Sequence, residues 1–190
     1  MTAARRAAAA SVARGAAAAS ASRRPVASSV ALLLPLIDEA YDRRAWHGPN
    51  LRGSLRGLSA ADAAWRPRPG RHNIRELVVH AAYWKYAVRR RLTGARRGSF
   101  RLEGSNWIER PGSEASWKED LDLLGDEHRL LREVISALPE SRFAGRASAG
   151  EHSAARLIRG IAAHDLYHAG QIRLVRALAK PRRPGAGDAS

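Results

Sequence analysis

Two histidines, four residues apart, have the clearest metal-binding spacing in this sequence. His164 and His168 enclose Asp-Leu-Tyr, so on a helix both imidazoles lie on one face, one turn apart, and can hold a single ion. Histidines at this spacing also occur in ordinary helix cores and on helix surfaces. The pair therefore indicates a metal site only if a third ligand comes from another helix.

His80 is the best-placed candidate for that third ligand. It lies three residues after Leu77 and four before Trp84, within the apolar stripe of an earlier helix. Three neutral imidazoles facing one another would form a facial triad with positions open for water or substrate. Nitrogen ligands of this kind accept Zn, Ni, Fe or Co without choosing among them. The glutamate base of His-Glu-x-x-His proteases is missing between His164 and His168.

Two further histidines lie on predicted apolar stripes, where a buried imidazole must be hydrogen-bonded or coordinated. His128 fits its stripe as well as His80 fits its own, so it is either the main rival ligand or a core or pocket-edge histidine. His47 is expected on the inner face of the first helix, beside Gly48-Pro49. There it would be an acid or base in the pocket, or a hydrogen-bonded core histidine.

Three other side chains near the candidate ligands have two interpretations each. Asp165 could orient an imidazole as a hydrogen-bond acceptor, or be a solvated or interhelical charge. Gln171 could reach the metal cavity or form a helix–helix hydrogen bond. Trp107, in a long connection, could wall the pocket or anchor the loop. The sequence leaves both interpretations open for each.

Cysteine is absent from the 190 residues, which excludes disulfides, thiolate metal sites and cysteine nucleophiles together. Lysine and arginine number 33 against 18 acidic residues, a formal charge of +15. Residues 1–28 and 180–190 carry +7 of this excess, and arginine outnumbers lysine 30 to 3. The positive charge is therefore as typical of a general arginine-rich composition as of a selected basic surface. Because cysteine is absent, histidine is the natural metal-binding side chain.

Seven basic residues and no acidic residue lie between positions 85 and 101: Lys85, Arg89, Arg90, Arg91, Arg96, Arg97 and Arg101. The first four lie towards the C-terminal end of the second predicted helix and the other three follow it. Cations at a helix C-terminus complement the macrodipole, so a solvated helix end is the expectation. An anionic-substrate funnel and a nucleic-acid patch are the alternatives. No glycine-rich phosphate loop, helix-turn-helix turn or interleaved aromatic platform supports nucleic-acid binding.

Four long helices and no strand are predicted to position these side chains. The first runs from near residue 35 towards residue 58, with an interruption at Gly48-Pro49. The second follows a capping-box pattern at Asn73–Glu76 and ends near Thr93, with Gly94 beyond it.

The third and fourth helices complete the pattern. The third opens at Ser116–Glu119 and ends before Pro139, and the fourth runs from near Ser153 to about Ala179. Each helix carries apolar residues at a period of 3.6, and four such helices without strands predict an all-α four-helix bundle. The connection from 95 to 115 is long enough for a crossover or a pocket cover.

One domain is expected at residues 29–179, between disordered tails at 1–28 and 180–190 that lack large apolar residues. A twin arginine, Arg23-Arg24, precedes an apolar run, but no small-residue cleavage site follows it. An export or organellar signal is therefore the weaker interpretation of this segment. No segment has the ~20 apolar residues of a membrane span.

Three segments resemble the DinB-like superfamily, most closely its branch of metal-dependent hydrolases, and the resemblance extends in order over roughly residues 34–178. They are Ala45-Trp-His-Gly-Pro-Asn50, the helix Ile74–Trp84, and Gly160–Ile172. The last is the most specific, because its two histidines are followed by Ala-Gly-Gln-Ile. The family is unrelated to the DNA polymerase that shares its name.

The resemblance implies a four-helix bundle, often dimeric, with a divalent metal on three histidines. By motif position those ligands are His80, His164 and His168, which sets His128 aside. The metal is commonly Ni or Zn, and Fe is also compatible with these ligands. Relatives with demonstrated activity include transferases and isomerases that use low-molecular-weight thiols, so such a thiol is a candidate second cofactor.

Three functions stand as hypotheses. The first is a cytoplasmic, homodimeric metalloenzyme that performs hydrolysis or thiol transfer on a small molecule, with no nucleic-acid or membrane partner. The second is a non-catalytic binding or stress-related bundle whose metal is structural or absent. The third is nucleic-acid binding, which would survive removal of the tails and weaken steeply with salt.

Overall fold

The computed structural model describes residues 27–104, 106–144 and 152–179, and every regular element among them is helical. The helices are α1 Ser29–Tyr41, α2 Leu51–Ser54, α3 Ala60–Ala64, α4 Ile74–Thr93, α5 Glu114–Ser136, α6 Ser141–Ala144 and α7 Ala154–Ala179. Helices α1 and α4 each pack against both α5 and α7, which closes a ring of four. The predicted all-α four-helix bundle is thus confirmed.

The first helix is where prediction and structure differ most. It begins at Ser29, where the Ser28 side chain caps it, and ends at Tyr41. Pro35 lies inside it on an exposed face, where water can satisfy the carbonyl that lacks an N–H partner. The predicted interruption at Gly48-Pro49 agrees with the φ of 108° at Gly48, which no helix accommodates, but the helix already ends at Tyr41 and does not reach that point. Between α1 and α4 the chain forms only the short helices α2 and α3.

The ends of the longer helices follow from their capping residues. Asn73 caps α4 through its side chain, and Gly94 terminates α4 in the left-handed conformation with φ 73°, both as predicted. Helix α5 begins at Glu114, earlier than predicted, because Ser113 is its cap. Ser116, predicted as the cap, instead donates its backbone N–H to the Ser113 hydroxyl at 3.2 Å.

Two apolar clusters fill the bundle, and a buried polar layer separates them. One cluster is built around Tyr41, Leu77, Ala81, Trp117, Leu124 and Ile172, and the other around Ile37, Val88, Leu92, Leu131, Ile135 and Ile158. Between the two sets along α4, α5 and α7 lie four buried polar residues, which we call the polar layer: Lys85, Glu127, His128 and Asp165. Because this layer occurs at one level of three helices, charged groups meet there across the bundle.

The connection from α4 to α5 carries no helix or strand among its described residues and lies against the bundle. Phe100 and Leu102 pack on the cluster around Trp117. No helix in the described part of the chain is both long enough and apolar enough to cross a membrane. The predicted tails lie outside the described residues, apart from Ala27 and Ser28.

Candidate metal centre

Three histidines from two helices converge on one point. His80 comes from α4, and His164 and His168 come from successive turns of α7. The Nε2 atom of His164 lies 3.2 Å from that of His80 and 3.1 Å from that of His168. One ring nitrogen from each of the three lies within 4.8 Å of the others. The structure therefore brings together the three residues that the sequence nominated as ligands.

The outward ring nitrogens of two triad members are held by hydrogen bonds. His80 Nδ1 lies 3.3 Å from the backbone carbonyl of Asn106, and His168 Nδ1 lies 2.7 Å from Gln171 Oε1. Because a carbonyl oxygen can only accept, each Nδ1 carries the hydrogen and each Nε2 presents its lone pair. The sequence left the metal cavity and a helix–helix hydrogen bond open for Gln171, and the structure shows instead a contact within α7 to the outward nitrogen of a triad histidine.

Burial is the main reason that these imidazoles are neutral. It lowers the pKa of His80 to about 4 and that of His164 to about 3, and His168 adds repulsion in both cases. Burial also lowers the pKa of His168. At neutral pH all three side chains are in the uncharged form that binds a metal.

The donor set fits a divalent ion. Two nitrogen ligands at ~2.1 Å from a metal, separated by roughly 90–109°, lie about 3.0–3.4 Å apart, a range that includes the Nε2 separations of His164 from His80 and from His168. His80 and His168 both aim lone pairs at His164, whose single hydrogen can satisfy only one of them. A cation at the centre would satisfy all three nitrogens, so a tri-histidine metal site is compatible with this geometry.

Aromatic rings enclose the triad on the side of the long connection. The Trp107 ring stacks on His80, with ring centroids 3.9 Å apart and planes 11° apart. On its other face Trp107 stacks on His72 at 3.6 Å. Trp84 donates its indole N–H to Asn106 Oδ1 at 2.9 Å. The connection therefore walls the site through Trp107, one of the two interpretations that the sequence left open.

Several cavities open on the described part of the bundle, and the lining of one of them includes a triad histidine. This cavity, of about 830 Å³, is lined by His164 together with Trp84 and Ile161. Another, of about 940 Å³, is lined by Tyr41 and Arg52 among others and has no triad histidine in its lining. A volume of ~300–1,000 Å³ is typical of a small-molecule site. We therefore take the cavity beside His164 as the one that serves the metal centre.

A buried ion pair that the sequence did not predict lies next to the triad. Lys85 Nζ donates to Asp165 Oδ2, and both side chains are 0 % exposed. Lys85 was expected on a solvated helix end, which is wrong because position 85 is one turn beyond Ala81 on the inner stripe of α4. Asp165, the neighbour of His164, is an interhelical charge; burial raises its pKa and Lys85 opposes that rise. The 3.6-residue period of α4 was the signal that could have revealed this lysine.

The two remaining candidate histidines lie elsewhere. His128 is buried in the polar layer, stacks on Tyr41 with ring centroids 3.7 Å apart, and contributes no atom to the triad. His47 was expected on the inner face of the first helix, but it is exposed in the turn after α1. The physical reason is that α1 ends at Tyr41, so the helical period that placed His47 inward has already stopped.

The comparisons with known proteins agree with this architecture. A family model for the DinB superfamily matches residues 42–172, a segment that contains all three triad histidines and α2 to α6. No curated protein and no solved structure matches the chain.

Proposed function

The chain belongs to the DinB superfamily, and on that premise we propose that it is a metal-dependent enzyme whose tri-histidine centre activates a small nucleophile for attack on a small molecule. The nucleophile is water in a hydrolase or a low-molecular-weight thiol in a thiol-dependent transferase. The observation that carries this proposal is the convergence of three neutral imidazoles, two of them locked by hydrogen bonds and the third, His164, lining a cavity.

Each residue of the candidate site has its own role in this proposal. His80, His164 and His168 hold the metal, while Asn106 and Gln171 fix ligand tautomers through Nδ1. A bound divalent ion would lower the pKa of a water or thiol at an open position towards neutrality. Since the chain has no cysteine, a thiol nucleophile must enter as a second molecule.

The substrate class, oligomeric state, location and partners of the enzyme are part of the same proposal. We expect a small-molecule substrate, a homodimer, a cytoplasmic location, and no nucleic-acid or membrane partner. The small-molecule part is supported by the size of the cavity beside His164. The other parts follow from the family resemblance and stay predictions.

The first experiment measures metal content and the thermal midpoint of purified protein before and after chelation. We expect about one divalent ion per chain and a lower midpoint once it is removed. A variant with alanine at all three triad positions should bind no metal, whereas His128→Asn should bind as the wild type does. Equal metal content in the triple variant would contradict the proposal.

A second experiment separates the two nucleophiles. With Co²⁺ in the site, a thiol that coordinates the metal changes the visible spectrum. A change with a low-molecular-weight thiol supports the transferase, and unchanged spectra across several thiols favour the hydrolase. If hydrolytic and thiol-transfer assays with metal-loaded protein are both silent across the substrates tested, the result favours the alternative of a non-catalytic bundle with a structural metal.

A further inference from the structure

Four arginines line the cavity beside His164, and we call them the arginine wall: Arg90, Arg91, Arg142 and Arg156. They come from three different helices, with two from α4, one from α6 and one from α7. His152 completes the polar lining, and none of the described residues that line this cavity is acidic. The wall is thus assembled by the fold and is not a run of neighbouring residues.

The arginine wall differs from other arginines close by. Arg89, one residue before it, is paired with Glu127 at 3.0 Å. In contrast, Arg90 and Arg142 donate to backbone carbonyls, those of Ala95 at 3.4 Å and Leu92 at 3.1 Å, which neutralise no charge. Within the described part of the chain, no carboxylate forms an ion pair with a member of the wall.

Helix electrostatics explain only part of this cluster. Arg90 and Arg91 lie in the last turn of α4, where a cation complements the macrodipole. Arg156 lies in the first turn of α7, where the macrodipole opposes a positive charge. Cations brought together from three helices also repel one another. Their common feature is that they surround one cavity.

We propose that the arginine wall binds the anionic group of a small molecule whose reacting part lies at the triad. Guanidinium groups bind carboxylate and phosphate through paired N–H donors, so the ligand carries one of these groups, with two or more negative charges. The position of the reacting part rests on the proposed function. The anion site itself rests only on the cavity and its four cations.

Contacts connect the wall with the metal ligands. The Arg91 guanidinium lies over the Trp84 ring, 5.7 Å from its centroid. Trp84 bonds to the side chain of Asn106, whose carbonyl holds His80. A small molecule bound to Arg91 would therefore be connected, through the Trp84 ring, to Asn106, whose backbone carbonyl orients His80.

The test titrates inorganic phosphate and succinate into full-length protein and follows binding by calorimetry. We expect the wild type to bind one of these anions. The control variant Arg173→Glu, which lies on α7 like Arg156 but outside the cavity lining, should bind it as well. The double variant R91E/R156E should lose affinity by about tenfold or more. Both of its positions are exposed, so its thermal midpoint without anion should match that of the control.

The choice of probe identifies the anionic group, since phosphate and succinate represent the two candidate chemistries. If neither anion binds to the wild type, or if R91E/R156E binds as tightly as R173E, the proposal is wrong. It is also wrong if a DNA duplex binds through these same arginines with a steep salt dependence while both small anions fail. The variant with alanine at all three triad positions separates the two proposals, because anion binding should persist there even when metal binding is lost.

Discussion

The histidine triad and the single histidine of the polar layer have similar electrostatics and different geometry. In the triad, burial lowers the pKa of His164 to about 3 and that of His80 to about 4. In the polar layer, burial likewise lowers the pKa of His128 to about 3. His128, however, stacks on Tyr41 and has its Nε2 4.0 Å from an Asp38 carboxylate oxygen. A depressed pKa therefore marks a desolvated imidazole and does not by itself mark a metal ligand.

What distinguishes the triad is that its free nitrogens face one another. Each Nε2 lies within about 3 Å of another Nε2, whereas His128 faces an aromatic ring and a distant carboxylate. The polar layer also contains its own opposite charges, Lys85 and Asp165, so it needs no added ion. From this difference we expect substitutions in the triad to change metal affinity, and substitutions in the polar layer to change the free energy of unfolding.

The largest effect should come from breaking the ion pair of the polar layer. Lys85→Met leaves Asp165 buried without its cation, and we expect the free energy of unfolding to fall by about 3–5 kcal/mol. The double variant K85M/D165L should recover most of this loss, because both charges are then gone. Urea unfolding curves measure both. A single variant within about 1 kcal/mol of the wild type would show that the pair is not a structural charge pair.

Removing a triad ligand should affect metal binding most. His164→Ala is expected to weaken metal affinity by at least about 100-fold, since even outer partners of a ligand contribute about 10–100-fold. His128→Asn is the matched control, being a buried histidine outside the triad, and should leave affinity unchanged. Competition titration against a chelating dye provides the affinities. Equal losses in both variants would erase the distinction between the two groups.

A smaller loss is expected from the residue that orients His168. Gln171→Leu removes the oxygen that accepts from Nδ1, so metal affinity should fall by about 10–100-fold. Gln171→Glu retains an acceptor at the same position and should keep most of the affinity. The same competition titration measures both variants, and identical behaviour of leucine and glutamate would assign Gln171 to packing alone.

The smallest effect concerns the acid sensitivity of the metal-free protein. The folded pKa of His128, about 3, lies below the ordinary value of 6.5, so below pH 6.5 the unfolded chain binds a proton that the folded chain does not. This contribution to stability is present above pH 6.5 and falls by at most about 1.4 kcal/mol per pH unit as the pH drops towards 3. His128→Phe should therefore show a shallower decline between pH 6.5 and 5 in urea unfolding. An unchanged slope would mean that His128 is protonated in the folded state.

The sequence predicted the features that depend on local period and spacing. The stripes of α4, α5 and α7 predicted the bundle, and the four-residue spacing of His164 and His168 predicted one half of the triad. His80 followed because it lies on a stripe, and the family resemblance preferred it over His128. These are properties that helical geometry imposes on a single chain.

What could not be predicted depends on where helices end and on what they face. Nothing local showed that the chain leaves the helix after Tyr41, so His47 was placed on an inner face that does not exist. Lys85 stands beside a run of arginines and looks like a solvated cation until Asp165, 80 residues later, is brought against it. The hydrogen bond from His80 to Asn106 depends on a loop in which Asn106 adopts a positive φ of 62°.

The Trp107 ring, stacked 3.9 Å from His80 and 39 % exposed, gives the protein a built-in optical reporter. A paramagnetic ion such as Ni²⁺ or Cu²⁺ at the triad would sit within quenching range of this indole, so tryptophan emission should drop as the site fills. Trp46, which is 95 % exposed in the turn after α1, supplies background emission. Occupancy can therefore be followed in unlabelled protein. Trp84, with its ring centroid 6.1 Å from that of His164, lies within the same range, so Trp107→Phe should remove part of the signal and Trp84 should report the rest.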